Sequence, residues 1–174
     1  MKLLPALLPA VAALAVSAPA LAQPITVAEV ESAQAAWGAG IVRIGEVHAA
    51  DGDYETAAAE HLETLYAYDL GDVLFKPTKA ADDQFRGSFD EAHSYFVGGI
   101  VAEDGGFAIN PWTAVRFENE GVITDADSAV AMGNYYFTDP SGGEVKVEYT
   151  FGYVRDAEGD LRINLHHSSL PYPG

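Results

Sequence analysis

Between Thr26 and Tyr68 the apolar residues recur every three or four positions, whereas from Val73 onward they fall into short runs that alternate with polar residues. The first period belongs to helices with one buried face and the second to half-buried strands. Thr26-Val27-Ala28-Glu29 has the form of a capping box, so a first helix is expected to start there. Val30, Ala33, Trp37, Ile41, Ile44 and Val47 would be its inner stripe. Gly38, Gly40 and Gly45 interrupt it, either to let another chain segment approach or to bend the helix. Asp51-Gly52-Asp53 closes this element, and a second helix is expected over Tyr54 to Tyr68, with Ala58, Leu62, Leu65 and Tyr66 inward and Gly71 as its stop.

The rest reads as strands: Val73–Phe75, Ser94–Val97, Phe107–Ile109, Thr113–Glu118, Ala129–Phe137, Glu144–Arg155 and Leu161–Ser168. The clearest is Glu144–Arg155, where Val145, Val147, Tyr149, Phe151 and Tyr153 alternate with Lys146, Glu148, Thr150 and Gly152. Asp156 to Asp160 then supplies a hairpin connection. Regular alternation on the returning strand would put Ile163, Leu165, His167 and Ser169 on one side and Arg162, Asn164, His166 and Ser168 on the other. Helices first and a long sheet after them predict an α+β domain, with the helices packed in a strongly curved antiparallel sheet that leaves a cone-shaped cavity.

Residues 1–22 stand apart from both patterns. Lys2 precedes an apolar stretch from Leu3 to Leu21 that ends on Ala20-Leu21-Ala22, the arrangement of a secretory signal peptide. Its three prolines and small-residue end favour cleavage over a stable membrane anchor. Residues 23–174 are then expected as one exported domain, periplasmic or secreted. Loss of 22 residues, Lys2 among them, changes 174 residues at a formal charge of −17 to 152 residues at −18. With 26 acidic against 9 basic residues, a phosphate-binding surface for nucleic acid is not expected. The absence of cysteine removes disulfides, thiol nucleophiles and thiolate metal sites.

Candidate chemistry concentrates in a few places. His166-His167-Ser168-Ser169 gathers two imidazoles and two hydroxyls at the end of an apolar strand, where they could polarise a small substrate or carry a proton. The same cluster could simply finish a sheet edge. There is no H-E-x-x-H, and neighbours on a regular strand face opposite ways, so a zinc site built on both histidines is difficult. Neither serine sits in a G-x-S-x-G elbow. Lys76-Pro77-Thr78-Lys79 offers local positive charge that could draw a small anion to a strongly acidic protein. Tyr95 could donate a phenolic hydrogen bond into a cavity or merely fill the core. Arg86 and Arg116, held among apolar residues, are expected to pair with a carboxylate such as Glu118 or Glu148.

Several longer stretches carry a family resemblance: Trp37-Gly38-x-Gly40-Ile41, Val73-Leu74-Phe75-Lys76-Pro77-Thr78, Ser94-Tyr95-Phe96-Val97-Gly98-Gly99, Pro111-Trp112, Phe117-Glu118-Asn119, Tyr149-Thr150-Phe151-Gly152 and His166-His167-Ser168-Ser169-Leu170-Pro171. Together they resemble the iota class of carbonic anhydrases, within the SnoaL-like (nuclear transport factor 2-like) superfamily, from about Ile25 to Tyr172. That resemblance implies reversible hydration of carbon dioxide to bicarbonate and a proton, no obligatory cofactor with zinc or manganese as alternatives, and a homodimer paired through the sheet. It also implies that Thr78, Tyr95 and either Ser168 or Ser169 hold bicarbonate or its water, with His166 or His167 receiving the proton. Simple alternation favours Ser169 and His167 as the inward pair. A non-catalytic ligand-binding domain and an oligomerisation domain are the competing readings.

Overall fold

The computed structural model describes residues 23–174, so the leader expected over residues 1–22 lies outside the described residues. Helix α1 (Val27–Ala49) starts on the expected box: Glu29 N–H donates to Thr26 Oγ1 at 3.3 Å, and Thr26 N–H donates to the Glu29 carboxylate at 2.7 Å. Asp53 caps α2 (Tyr54–Leu65) through the Thr56 amide at 3.0 Å. This helix ends three residues before Tyr68, because Tyr66 turns to extended backbone and Ala67 N–H bonds to the Ile163 carbonyl.

Five strands follow in one sheet: β1 (Leu74–Lys76), β2 (Ala114–Thr124), β3 (Ser128–Thr138), β4 (Glu144–Arg155) and β5 (Leu161–Ser169), in the spatial order β1-β5-β4-β3-β2. The fold is α+β as expected, but the expectation of a strongly curved antiparallel sheet around a cone is corrected. The sheet is mixed, since β1 runs parallel to β5 from Leu74↔Leu165 to Lys76↔His167. It is also open, neither closed nor strongly curled: β1 and β2 are opposite edges and do not pair. The three-residue β1 covers the edge of β5 only from Leu165 to His167, and Tyr66 and Ala67 meet that edge at Ile163.

Two of the expected strands do not form. Ser94–Val97 is the end of a third helix, α3 (Phe89–Val97), whose Ser88-x-x-Glu91 box is intact and which stops at Gly98 with φ +85°. The apolar run Tyr95-Phe96-Val97 is buried on a helix rather than alternating on a strand. Residues 107–109 are a turn, tied back by Phe107 N–H to Tyr95 O and Ala108 N–H to Phe96 O. Conversely, β2 continues past Glu118. It passes through a bulge at Asn119-Glu120-Gly121, with Asn119 opposite Gly133 and Gly121 opposite Met132.

Trp37 is the centre of the core. Phe117, Tyr135, Phe137, Phe151 and His166 all lie with ring centroids 5.5 to 6.2 Å from it. The α1 glycines serve close approach. A Cβ on Gly45 would stand 3.0 Å from the Asn110 carbonyl oxygen, and one on Gly40 only 2.0 Å from His61 Nδ1.

Candidate active site

The decisive local feature is a bulge in β5. Tyr153 pairs with Ile163, but Gly152 pairs with Leu165, so Asn164 is the extra residue. Its insertion reverses the alternation beyond it. Ile163 is buried, and then His166 and Ser168 are buried in place of Leu165 and His167. His167 is exposed and Ser169 bonds to the Glu148 carboxylate at 3.1 Å on the opposite face. Of the four polar residues in the His-His-Ser-Ser sequence, the structure therefore takes His166 and Ser168 inward and leaves His167 and Ser169 outside.

Ser168 meets Thr78 there. Just after β1, Thr78 Oγ1 donates to Ser168 Oγ at 2.8 Å, and Lys76 Nζ donates to the Ser168 carbonyl at 3.3 Å. From α3, the Tyr95 hydroxyl accepts from Lys79 N–H at 3.4 Å. That contact places Tyr95 against the residue that follows Thr78. Phe75 meets the Tyr95 ring edge-on, and Phe107 stacks on it at 5.5 Å.

A fourth hydroxyl belongs to Tyr135 of β3. Burial pushes its phenol pKa up, while the neighbouring Ser168 and Thr78 hydroxyls pull it part of the way back. Burial raises the Tyr95 phenol as well. Both are neutral hydrogen-bond donors at ordinary pH. Tyr135 carried no special signal in the sequence. Alternation along Ala129–Phe137 puts it on the buried face, but only the pairing of β3 with β4, and of β4 with β5, brings it near Ser168.

Behind this cluster lies a second polar chain. Trp37 Nε1–H donates to the Tyr66 hydroxyl at 2.9 Å, and that hydroxyl lies 2.8 Å from His166 Nδ1. Phe75 stacks on the His166 ring at 4.5 Å and Phe151 meets it edge-on at 4.3 Å. Such burial, with smaller contributions from His167 and His61, holds the His166 pKa well below the ordinary imidazole value. On the far side of the core, Gln34 and Asn119 bond reciprocally, amide to amide, at 2.9 and 3.0 Å, and both bond to the Tyr149 hydroxyl.

Arg86 does not reach Glu118 or Glu148. It is buried and holds Asp104 with two bonds, Nη2 to Oδ1 at 2.6 Å and Nε to Oδ2 at 3.2 Å, and it donates to the Asp83 and Phe85 carbonyls. Arg116 does pair with Glu118. Glu103, next to Asp104, accepts the amides of Ala81, Asp82 and Asp83 at 2.9 to 3.1 Å. These bonds fasten the loop after Thr78 to the loop after α3. Between the loops opens a cavity of about 450 Å³, lined by Lys79, Tyr95, Glu103, Asp104, Gly106 and Phe107. It reaches the hydroxyl cluster at Tyr95. Another cavity, of about 500 Å³ between α1, α2 and the β4–β5 hairpin, is remote from that cluster.

Among the described residues no three His, Asp or Glu side chains converge as a metal site. No helix among them is long and apolar enough to cross a membrane.

Comparison with known proteins agrees with this arrangement. Residues 28–170 match the family described as metal-independent carbonic anhydrase. A metal-independent carbonic anhydrase of Nostoc sp. is 39% identical over 159 residues, spanning 88% of this chain and 78% of that protein. The crystal structure of a cyanobacterial iota-carbonic anhydrase complexed with bicarbonate superposes with a TM-score of 0.85 at 37% identity, covering 91% of this chain and all of that one. A calcium/calmodulin-dependent protein kinase II association domain from Xanthomonas campestris shares only the fold, with a TM-score of 0.57 at 24% identity over 90% of this chain and all of that one. The chain belongs to the metal-independent, iota-class carbonic anhydrase family, within the SnoaL-like superfamily. It is thus a carbonate dehydratase, a lyase that interconverts carbon dioxide and bicarbonate.

Proposed function

We propose that bicarbonate, or carbon dioxide with its attacking water, is held by the hydroxyls of Thr78, Tyr95, Tyr135 and Ser168. The observation that carries this is the Thr78–Ser168 hydrogen bond at 2.8 Å on the buried face, with two neutral phenols beside it. In hydration, a water oxygen bonds to the carbon of carbon dioxide, one C=O π pair moves onto oxygen, and one proton leaves to solvent. Negative charge therefore grows on the carbonate oxygens. Fixed O–H donors in a buried site stabilise that charge without reorganising during the reaction. They also place water and carbon dioxide within attacking distance.

Lys76 and Lys79 flank Thr78 and favour an anion locally in a protein of formal charge −17. The cavity between the 78–83 and 103–106 loops supports a route for substrate, because Tyr95 lines it. His166 is too deeply buried to hold a proton readily at neutral pH, so it acts here as a neutral group. The chain functions as an exported, homodimeric enzyme on this reading. Support comes from the leader composition and from the apolar Val130 and Met132 exposed on the outer sheet face.

Exchange of oxygen label between carbon dioxide and water, measured on protein stripped of metal, tests the proposal. Acceleration that survives stripping and falls in Thr78→Ala and Ser168→Ala is expected. No acceleration, with or without added zinc or manganese, would overturn the activity; full activity in both variants would overturn the site.

A further inference from the structure

The Tyr66 hydroxyl sits between two nitrogens and has one proton to give. Trp37 Nε1 carries a permanent hydrogen and can only donate, so Tyr66 Oη is the acceptor in that 2.9 Å contact. The phenol is neutral, since burial raises its pKa far above the ordinary value. Its own hydrogen then points to the remaining partner, His166 Nδ1, at 2.8 Å. A neutral imidazole that accepts at Nδ1 carries its hydrogen on Nε2. His166 Nε2 is buried and has no hydrogen-bond partner among the described residues. Leaving such a donor unpaired forfeits the hydrogen bond it would make in water. The ring has no freedom to relieve it, being stacked on Phe75 at 4.5 Å and pressed edge-on by Phe151 at 4.3 Å. His166 occupies the inner-face position next to Ser168, which bonds to Thr78.

We infer that the Trp37–Tyr66–His166 chain locks His166 as its neutral Nε2–H tautomer, and that this N–H is kept as a hydrogen-bond donor for bicarbonate, directly or through one water, beside Ser168. Tyr66 and Trp37 are then positioning residues that act through His166. The unpaired donor gains its partner only when an anion or its water arrives, which makes binding more favourable than in a pocket whose donors are already satisfied. The inference rests on the bicarbonate site proposed above, but its first half concerns the free protein alone.

Long-range ¹H–¹⁵N correlation spectra of the histidine rings test both halves. In the free wild-type protein at neutral pH, His166 should show a protonated Nε2 and an acceptor-type Nδ1. Addition of bicarbonate should shift the Nε2–H resonance. In Tyr66→Phe the tautomer should lose its fixed assignment, and bicarbonate should bind about tenfold more weakly, as expected for one lost hydrogen bond to a charged ligand. A wild-type Nδ1–H tautomer, or a cationic ring at neutral pH, would overturn the inference without any variant. An Nε2–H resonance unmoved by saturating bicarbonate would overturn its second half. If the wild type binds no bicarbonate while His166 still shows the expected tautomer, the proposed substrate site has failed and the lock stands.

Discussion

Thr78 Oγ1 donates to Ser168 Oγ at 2.8 Å although 90 residues separate them in the chain. The contact exists because β1 runs parallel to β5, with Lys76 opposite His167, so that the residues leaving one strand meet those ending the other. Ser169, one residue further, lies on the opposite face with Glu148. Ser168→Ala and Thr78→Ala are each expected to lower kcat about 100-fold, within the range for removing one donor to a developing oxyanion. Ser169→Ala should stay within about twofold of the wild type, since a surface substitution of this kind changes little. Steady-state carbon dioxide hydration with circular dichroism on each variant checks both statements, and equal losses in Ser168→Ala and Ser169→Ala would contradict the face assignment.

The cavity wall depends on Arg86. Its guanidinium and the Asp104 carboxylate are both fully buried. Arg86→Ala would leave Asp104 as an unpaired buried charge, at an expected cost of about 3–5 kcal/mol. Arg86→Lys should recover part of the stability but not the paired geometry, because an ammonium cannot reproduce the two parallel bonds. Chemical denaturation of the three proteins gives the ranking wild type, Lys, Ala.

Acid should destabilise the fold before its carboxylates titrate. Burial lowers the His61 pKa to about 4, and that of His166 falls in the same direction. Between pH 6.5 and 4 the unfolded chain binds protons at these positions while the folded chain does not, so stability decreases as pH falls and is fully present above the unfolded value. His61 alone accounts for on the order of 3 kcal/mol over that window. Denaturant midpoints measured from pH 7 to pH 4 should fall steadily, and His61→Gln should show a shallower slope. An unchanged slope would show that His61 does not stay neutral in the folded state.

Gly40→Ala tests the close approach of α1 to α2. The new Cβ would fall 2.0 Å from Nδ1 of the buried His61 ring, which packs against Trp37. Overpacking of this kind is expected to cost about 1–3 kcal/mol, more than any gain in helix propensity from replacing glycine. Thermal unfolding should report a lower midpoint.

Local rules read from the chain located most of the elements. The Thr26/Glu29 box, the Asp53 cap and the strict alternation in Glu144–Arg155 each act within a few residues, and each has its structural counterpart. The Ser88-Phe89-Asp90-Glu91 box was equally visible, yet the apolar run Ser94–Val97 reads as a strand when it is taken alone. The strand expected over Thr113–Glu118 stops short for a related reason: the bulge at Asn119-Glu120-Gly121 that carries β2 onward is defined by the partner strand, not by its own residues. The long resemblance motifs reached further and named Thr78, Tyr95 and the His-His-Ser-Ser sequence as the place to look.

By itself, then, the sequence determined an α+β domain without thiol chemistry, its helix starts, its β3–β4–β5 meander and the family to which it belongs. Tertiary structure decided which residues of the last strand face inward, because one inserted residue, Asn164, reverses the alternation after it and its effect depends on pairing with Gly152 and Tyr153. It decided that the sheet is mixed and open, because a three-residue β1 pairs only with β5. It also set Tyr135 near Ser168 and Thr78, and brought the Tyr66 hydroxyl to His166, 100 residues further along the chain. Periodicity records which side of an element is buried; what a buried hydroxyl touches is set by the packing of elements against one another.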